Sequence, residues 1–203
     1  MNTVLPRWEW RTFRTTFGDA EARIRAHPGQ VTTSREIHIV ADGTNASTRI
    51  HGQQLEIDEL QETNRETLER WRPVINEPFP IGAATVRAAF RLWAIPPPAL
   101  KRDTYSMDEF LDEIVSSQPS LRLVHVRSQR HTFTIDDCVV EIAELTFNGM
   151  PLRTIGVEMF DPARVTKTVR SLGLDRYENV SFVKSLRRFL AADAPGAQLP
   201  QRC

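Results

Sequence analysis

The first residues of the chain alternate between aromatic and charged side chains, which is typical of a β-strand. In residues 7–14, Trp8 and Trp10 fall on one parity, and the other parity carries Arg7, Glu9 and Arg11. Because successive side chains of a strand point to opposite faces, this strand presents one aromatic face and one face of mixed charge. The charged face is either the solvated side of a sheet or the inside of a charged barrel.

The same alternation continues through the next fifty residues. Residues 34–42 predict one strand, and residues 47–60 predict two strands that are joined by a turn at Gly52. Apolar side chains again occupy one parity of these strands and charged side chains the other. A set of such strands predicts an apolar outer surface and a polar inner surface.

The middle of the chain has helical patterns. Residues 62–72 predict a helix that stops before Pro73, and residues 82–93 place apolar side chains at helical spacing before a proline-rich segment. A third helix is predicted from Ser106, because Glu109 three residues later completes a capping box.

Strands return in the second half and are followed by two helices. Turn signals at 136–137 and at Asn148-Gly149 separate three predicted strands, which span residues 121–135, 138–147 and 152–160. Asp161-Pro162 then predicts a helix start, Gly173 its end, and residues 181–192 a final helix. We predict an α+β fold, an antiparallel β-barrel tunnel with helices packed outside and a helical insertion in mid-chain.

Composition narrows the class of protein. The 26 basic and 26 acidic residues give a formal net charge of zero, which argues against a general nucleic-acid binder. No apolar run approaches the roughly 20 residues of a membrane span, and the N-terminus lacks the apolar core of a signal peptide. Cys138 and Cys203 form no disulfide framework, so we expect a cytoplasmic protein. The five histidines have no ligand spacing, which argues against zinc.

A resemblance to a known family begins at residues 141–174, EIAELTFNGMPLRTIGVEMFDPARVTKTVRSLGL. With the charged first strand and the closing ENVSFVKSL, this segment resembles the CYTH superfamily, the triphosphate tunnel metalloenzymes. Class IV adenylate cyclases, thiamine triphosphatases and inorganic triphosphatases belong to that family. The likeness covers most of the chain and implies one CYTH-like domain over residues 1–192, followed by a disordered tail at 193–203.

The family motif maps onto this sequence with several departures. The first strand of the family has Glu-x-Glu-x-Lys, and here Arg7, Glu9 and Arg11 stand at those positions. The resemblance implies that three carboxylates, one from each acidic strand, are catalytic and hold Mg²⁺ or Mn²⁺: Glu9, Glu141 and Glu158. It also implies that four basic residues bind the phosphates of the substrate: Arg11, Arg49, Arg130 and Lys184.

Five positions depart from the family pattern. Arg7, Ala143 and Gly156 stand where the family has carboxylates, and Glu56 and Asp58 stand where it has basic residues. The structural alternative is that the acids lie on solvated strand faces and that the arginines form exposed ion pairs.

Three functions follow from this comparison. The first is a metal-dependent phosphohydrolase that acts on an inorganic, thiamine or nucleoside triphosphate inside the barrel. The second is a catalytically degenerate tunnel protein that binds a phosphorylated or other anionic ligand without turnover. The third is an interaction scaffold without a ligand. In the first two, the partner is a small molecule rather than a nucleic acid or a membrane. Adenylate cyclase activity is less favoured, because the cyclases keep a fuller basic set.

Overall fold

Eight antiparallel strands close into a barrel in the computed structural model, which describes residues 6–192. The order around the barrel is β1-β10-β9-β8-β2-β3-β4-β5. The barrel strands are β1 (Arg7–Arg14), β2 (Gly29–Ala41), β3 (Ala46–His51), β4 (Gln54–Thr63), β5 (Glu69–Pro78), β8 (Leu121–Ile135), β9 (Cys138–Phe147) and β10 (Met150–Met159). Two short strands, β6 (Ile81–Gly82) and β7 (Thr104–Tyr105), pair separately. The predicted barrel of antiparallel strands is confirmed.

Within the described residues, five helices accompany the barrel. They are α1 (Asp19–Arg25), α2 (Ala83–Leu92), α3 (Met107–Glu109, continued by a π-helical segment over Phe110–Val115), α4 (Pro162–Ser171) and α5 (Phe182–Ala192). The capping box of α3 is present, since Ser106 and Glu109 bond reciprocally. Asp161 caps α4 with Pro162 at its first turn, and Gly173 follows that helix with a φ of +69°. Sequence patterns did not predict α1 or the first residues of β2.

The helix that was predicted over residues 62–72 is wrong, because this segment forms the end of β4, a turn and the start of β5. In the turn, the Asn64 side chain accepts hydrogen bonds from the Glu66 and Leu68 amides, and Thr67 adopts a positive φ of 63°. Pro73 is tolerated in β5 because the pairing shifts there: Asp58 lies opposite Pro73, whereas Ile57 lies opposite Ile75. Tertiary pairing therefore overrides the local helix pattern.

Helices cover two apolar regions of the outer barrel surface. On one side, α2 and the π-helical segment pack on the apolar parity of β2 to β5, with Phe90, Trp93 and Phe110 fully buried. On the other side, α1 and α4 pack over β1, β9 and β10, where Trp10 is buried and Trp8 partly buried. The two indoles are therefore packing residues, as their parity predicts.

The last helix closes one end of the barrel from within. Leu186 and Leu190 of α5 pack against Val124, Val126 and Phe147. In the strand register, Val124 lies opposite His38, so these valines share the inner face with polar residues further along the barrel. The interior is thus divided into an apolar end that α5 fills and a polar end that stays open.

Two predictions concern other features of the chain. The predicted tail, residues 193–203, lies outside the described residues, as does Cys203. None of the helices within residues 6–192 has the length and the apolar composition that a membrane-spanning helix needs.

Candidate functional site

The polar end of the barrel encloses a cavity of about 340 Å³, which all eight barrel strands and the start of α5 line. Four arginines and five carboxylates contribute to its wall: Arg7, Arg11, Arg49, Arg130, Glu9, Glu36, Asp58, Glu141 and Glu158. We call this space the barrel cavity. The alternating charged parity of the strands forms its inner wall, and so the charged face of the first strand points inward.

The three carboxylates that the sequence singles out all reach the barrel cavity. Glu9 lies opposite Glu158 in the β1–β10 register and opposite Glu69 in the β1–β5 register. Glu158 accepts a hydrogen bond of 2.6 Å from Arg7 Nη1. Glu141 reaches the cavity from β9, two positions before Ala143. These residues are brought together, and the role of each remains a prediction.

Arg11 joins two of these carboxylates. Its Nε donates to Glu9 at 2.5 Å, and its Nη1 donates to Glu141 at 2.9 Å. Burial alone would lower the pKa of Arg11, but the charges of Glu9 and Glu141 outweigh it and raise that pKa. Burial also raises the pKa of Glu9, although Arg11 opposes this effect.

A second buried network lies on β2 and β8. Glu36 accepts hydrogen bonds from Arg130 Nη1 at 2.7 Å and from Ser34 Oγ at 2.8 Å, and His38 Nε2 lies 3.0 Å away. Burial would raise the pKa of Glu36, but the hydrogen bonds from His38 and Arg130 lower it. Burial lowers the pKa of His38, whose ring stacks on Phe182 at 4.9 Å between centroids. Because an ionised carboxylate only accepts hydrogen bonds, Nε2 of His38 carries the proton.

The third group of charges comes from β3 and β4. Arg49 Nε donates to Glu56 at 2.6 Å, and Asp58 lines the cavity nearby. Burial raises the pKa of Asp58, and the negative charge of Glu56 raises it further, whereas the positive charge of Arg49 lowers it. Within residues 6–192, Asp58 has no hydrogen bond or ion pair from its side chain.

Of the four predicted phosphate-binding residues, Arg11, Arg49 and Arg130 line the cavity, whereas Lys184 does not. The ammonium group of Lys184 binds Glu69, a buried carboxylate of β5. Lys184 therefore neutralises a strand carboxylate from the surface of α5.

Several cavity residues were missed at the sequence level. Glu36 and His38 alternate with Ile37 and Ile39, and this parity was a usable signal for an inward position. Trp71 also lines the cavity, but the mistaken helix over 62–72 hid its strand parity.

The three predicted metal ligands are already engaged by arginines of the barrel cavity. Three carboxylates have the hard oxygen chemistry that Mg²⁺ and Mn²⁺ prefer. Their arrangement does not fit a metal, because Glu9 and Glu141 share the guanidinium of Arg11 and Glu158 binds Arg7. Throughout the described part of the chain, no three acidic, histidine or cysteine side chains are grouped so that they could hold an ion.

Comparison with known proteins gives the fold its context. No family model and no curated protein sequence matches the chain. A Hippeastrum protein that is named as an adenylyl cyclase, and is said to have a dominant triphosphatase activity, matches with a TM-score of 0.51 and 11% identity. The match covers 90% of this chain and 96% of that one. A conserved hypothetical protein from Pyrococcus furiosus matches with a TM-score of 0.50 and 10% identity, over 88% of this chain and 98% of that one.

These identities are too low to show more than the fold. The matches extend along almost the whole length of both solved structures, and this chain has the same closed antiparallel architecture. The resemblance predicted from the sequence is confirmed at that level: the chain has a CYTH-like tunnel fold.

Proposed function

We propose that the barrel cavity binds a small phosphorylated molecule without turning it over. The observation that carries this proposal is the convergence of four guanidinium groups, from three strands, on one enclosed space. The planar guanidinium matches phosphate oxygens in a bidentate manner, which makes arginine well suited to phosphate recognition.

The exposure of the ion pairs indicates which arginines meet the ligand first. The Arg7–Glu158 side chains are 44% and 36% exposed, and the Arg49–Glu56 side chains are 41% and 23% exposed. Such partly exposed pairs contribute only about 0–1 kcal/mol each, so a phosphate can replace their carboxylates at low cost. Arg130 and Arg11 are held in more buried pairs and give up their partners less readily.

The carboxylates of the wall limit the charge of the ligand. Five acidic residues face four arginines, so a bare triphosphate would bring several negative charges beside existing ones. A ligand with a single phosphate, or with a compensating positive group, suits this balance better. The reversed charges at Glu56 and Asp58 support the same preference.

A metal-dependent triphosphatase is the second candidate function. Glu9, Glu141 and Glu158 reach the same cavity, and the Hippeastrum protein of the same fold is said to have triphosphatase activity. This candidate requires the carboxylates to leave their arginines and to hold Mg²⁺ or Mn²⁺.

Calorimetry separates the candidates. The protein is titrated with inorganic phosphate and with tripolyphosphate, each with and without Mn²⁺, and released phosphate is measured in parallel. We expect metal-independent binding without phosphate release, and weaker binding in Arg49→Gln. Arg72→Gln is the matched control, because Arg72 pairs with Glu59 away from the cavity wall.

The other outcomes discriminate as clearly. Phosphate release that needs Mn²⁺ and is lost in Glu158→Gln, but kept in Glu144→Gln, would establish the triphosphatase. Glu144 serves as the control because it is an exposed residue on the other parity of β9. Absence of binding heat and of phosphate release with every phosphate would overturn both candidates and favour a scaffold.

A further inference from the structure

Arg11 is held on every side by the barrel. Its guanidinium binds Glu9 at 2.5 Å and Glu141 at 2.9 Å, and Nη1 also lies 3.4 Å from Thr154 Oγ1. The ring of Phe182 lies 5.8 Å from the guanidinium carbon, within cation–π range. The side chain is only 13% exposed. We call this arrangement the Arg11 site.

The strand beneath the Arg11 site is shaped for the guanidinium. Gly156 is the register partner of both Arg11 on β1 and Glu141 on β9. A Cβ atom at Gly156 would lie 2.7 Å from Nη2 and 2.8 Å from the guanidinium carbon of Arg11, which is closer than real contacts allow. The absence of a side chain at position 156 therefore creates the space that Arg11 fills.

The backbone of Arg11 is anchored as well. Its amide donates to Asn179 Oδ1 at 2.8 Å, and its carbonyl accepts from the Val180 amide at 2.6 Å. The segment before α5 thus fixes the β1 backbone at this residue. The guanidinium has little freedom to move away from this position. It is held by the two carboxylates, the close backbone of Gly156 and the ring of Phe182, and the Arg11 backbone is fixed by its own hydrogen bonds.

We propose that Arg11 is a built-in cation that takes the place of a divalent metal between Glu9 and Glu141. Each of the two carboxylates places one oxygen on the guanidinium, and a metal would have to enter against a fixed positive charge a few ångströms away. Removing the guanidinium frees Glu9 and leaves Glu141 with only its longer ion pair to Arg130, at 3.5 Å from Nε to Oε2. The Arg11 site thereby becomes a metal site. This inference goes beyond the proposed function, because it concerns Arg11 and its two carboxylates and not the phosphorylated ligand.

Titration with Mn²⁺ alone tests the inference, because it needs neither phosphate nor activity. Free Mn²⁺ is followed by electron paramagnetic resonance in the wild type, Arg11→Met, Arg11→Met/Glu141→Gln and Arg72→Met. Arg72→Met removes the same charge from an exposed ion pair outside the cavity. We expect Arg11→Met to bind one Mn²⁺ about tenfold or more tightly than the wild type, and the added Glu141→Gln to abolish the gain.

Two outcomes would overturn the inference. The first is one Mn²⁺ per wild-type chain that Glu9→Gln removes. The second is a folded Arg11→Met variant that binds Mn²⁺ no better than Arg72→Met. If Arg11→Met does not fold, the wild type and Glu9→Gln decide alone, with the effect of Mn²⁺ on Tm as a second readout. A wild type whose Tm and Mn²⁺ signal match those of Glu9→Gln supports the inference.

Discussion

Arg130 donates from Nη1 to Glu36 Oε1 at 2.7 Å, and the Glu36 side chain is only 2% exposed. This pair joins β8 to β2 across their inner faces, and Ser34 and His38 complete the hydrogen bonds of the carboxylate. A buried carboxylate with a full set of donors is an interior anchor rather than a surface charge. The pair therefore contributes to the stability of the polar half of the barrel.

Removing Glu36 should destabilise the fold strongly. Glu36→Ala removes the buried carboxylate that Arg130 and His38 share, and loss of one partner of a buried pair costs about 3–5 kcal/mol of unfolding free energy. The free energy of unfolding in urea measures this loss. Glu62→Ala is the control, because Glu62 forms an exposed pair with Arg70 and should cost less than about 1 kcal/mol. Equal losses of unfolding free energy in the two variants would show that the buried pair stabilises the fold no more than the exposed pair does.

The same carboxylate should make stability depend on pH. The pKa of Glu36 is lowered in the folded protein, so its contribution is present above the unfolded value of about 4.3 and is lost as the pH falls further. The stability difference between the wild type and Glu36→Gln should therefore be full near neutral pH and shrink below about pH 4.3.

Glu9→Gln provides a control of opposite sign. Burial raises the pKa of Glu9, so its ionisation reduces stability as the pH rises above the unfolded value. As the pH rises from acidic to neutral, the free energy of unfolding of Glu9→Gln should increase relative to that of the wild type, whereas that of Glu36→Gln should decrease. Urea denaturation at a series of pH values measures both differences, and parallel curves for the two variants would contradict the assignment.

Parity alone was enough to predict most of the barrel and part of its site. The alternation in β1, β3 and β9 places Glu9, Arg49 and Glu141 inward, because a strand has only two faces and the apolar face must meet the helices. No comparable local signal existed for β5. The sequence at the start of β5 has helix-forming residues. Its strand form depends on pairing with β1, which is distant in sequence, and with β4, to which a turn joins it.

The pairing of charges was not predictable from sequence. The family motif predicted that Arg11 and Lys184 bind phosphate. In the structure, the partners of these long side chains are carboxylates on neighbouring strands. Gly156 appeared only as the loss of a carboxylate, whereas the structure gives it a positive role as the space for Arg11. Such relationships depend on three-dimensional register, which a single sequence does not contain.

Truncating an apolar side chain of α5 at the closed end of the barrel should lower the stability of the fold without changing the charges of the cavity. Leu186 of α5 is 2% exposed and packs among the inner-face residues at the closed end. Leu186→Ala should lower the free energy of unfolding by about 2–5 kcal/mol, because apolar burial is lost and the deleted side chain leaves a void. Val31→Ala is the control, because Val31 is 54% exposed and its truncation removes little burial. Thermal denaturation compares the two, and a loss no greater than that of the control would mean that α5 is not a core element.

The contact between α2 and the barrel gives the last prediction. Trp93 follows α2, is fully buried and donates from Nε1 to Thr48 Oγ1 at 2.8 Å. Thr48→Val keeps the shape of the side chain but leaves the indole N–H without an acceptor, so the free energy of unfolding should fall by about 1–3 kcal/mol. Thr85→Val is the matched control, because Thr85 makes an exposed hydrogen bond to Glu77.

Thr48 also lies between Ser47 and Arg49, both of which line the barrel cavity. Since alternate side chains of β3 face opposite ways, Thr48 fixes the outer side of the strand whose inner side carries Arg49. Thr48→Val should therefore weaken phosphate binding less than Arg49→Gln, while lowering stability more than Thr85→Val. A Thr48→Val protein with unchanged unfolding free energy would show that the indole finds another acceptor.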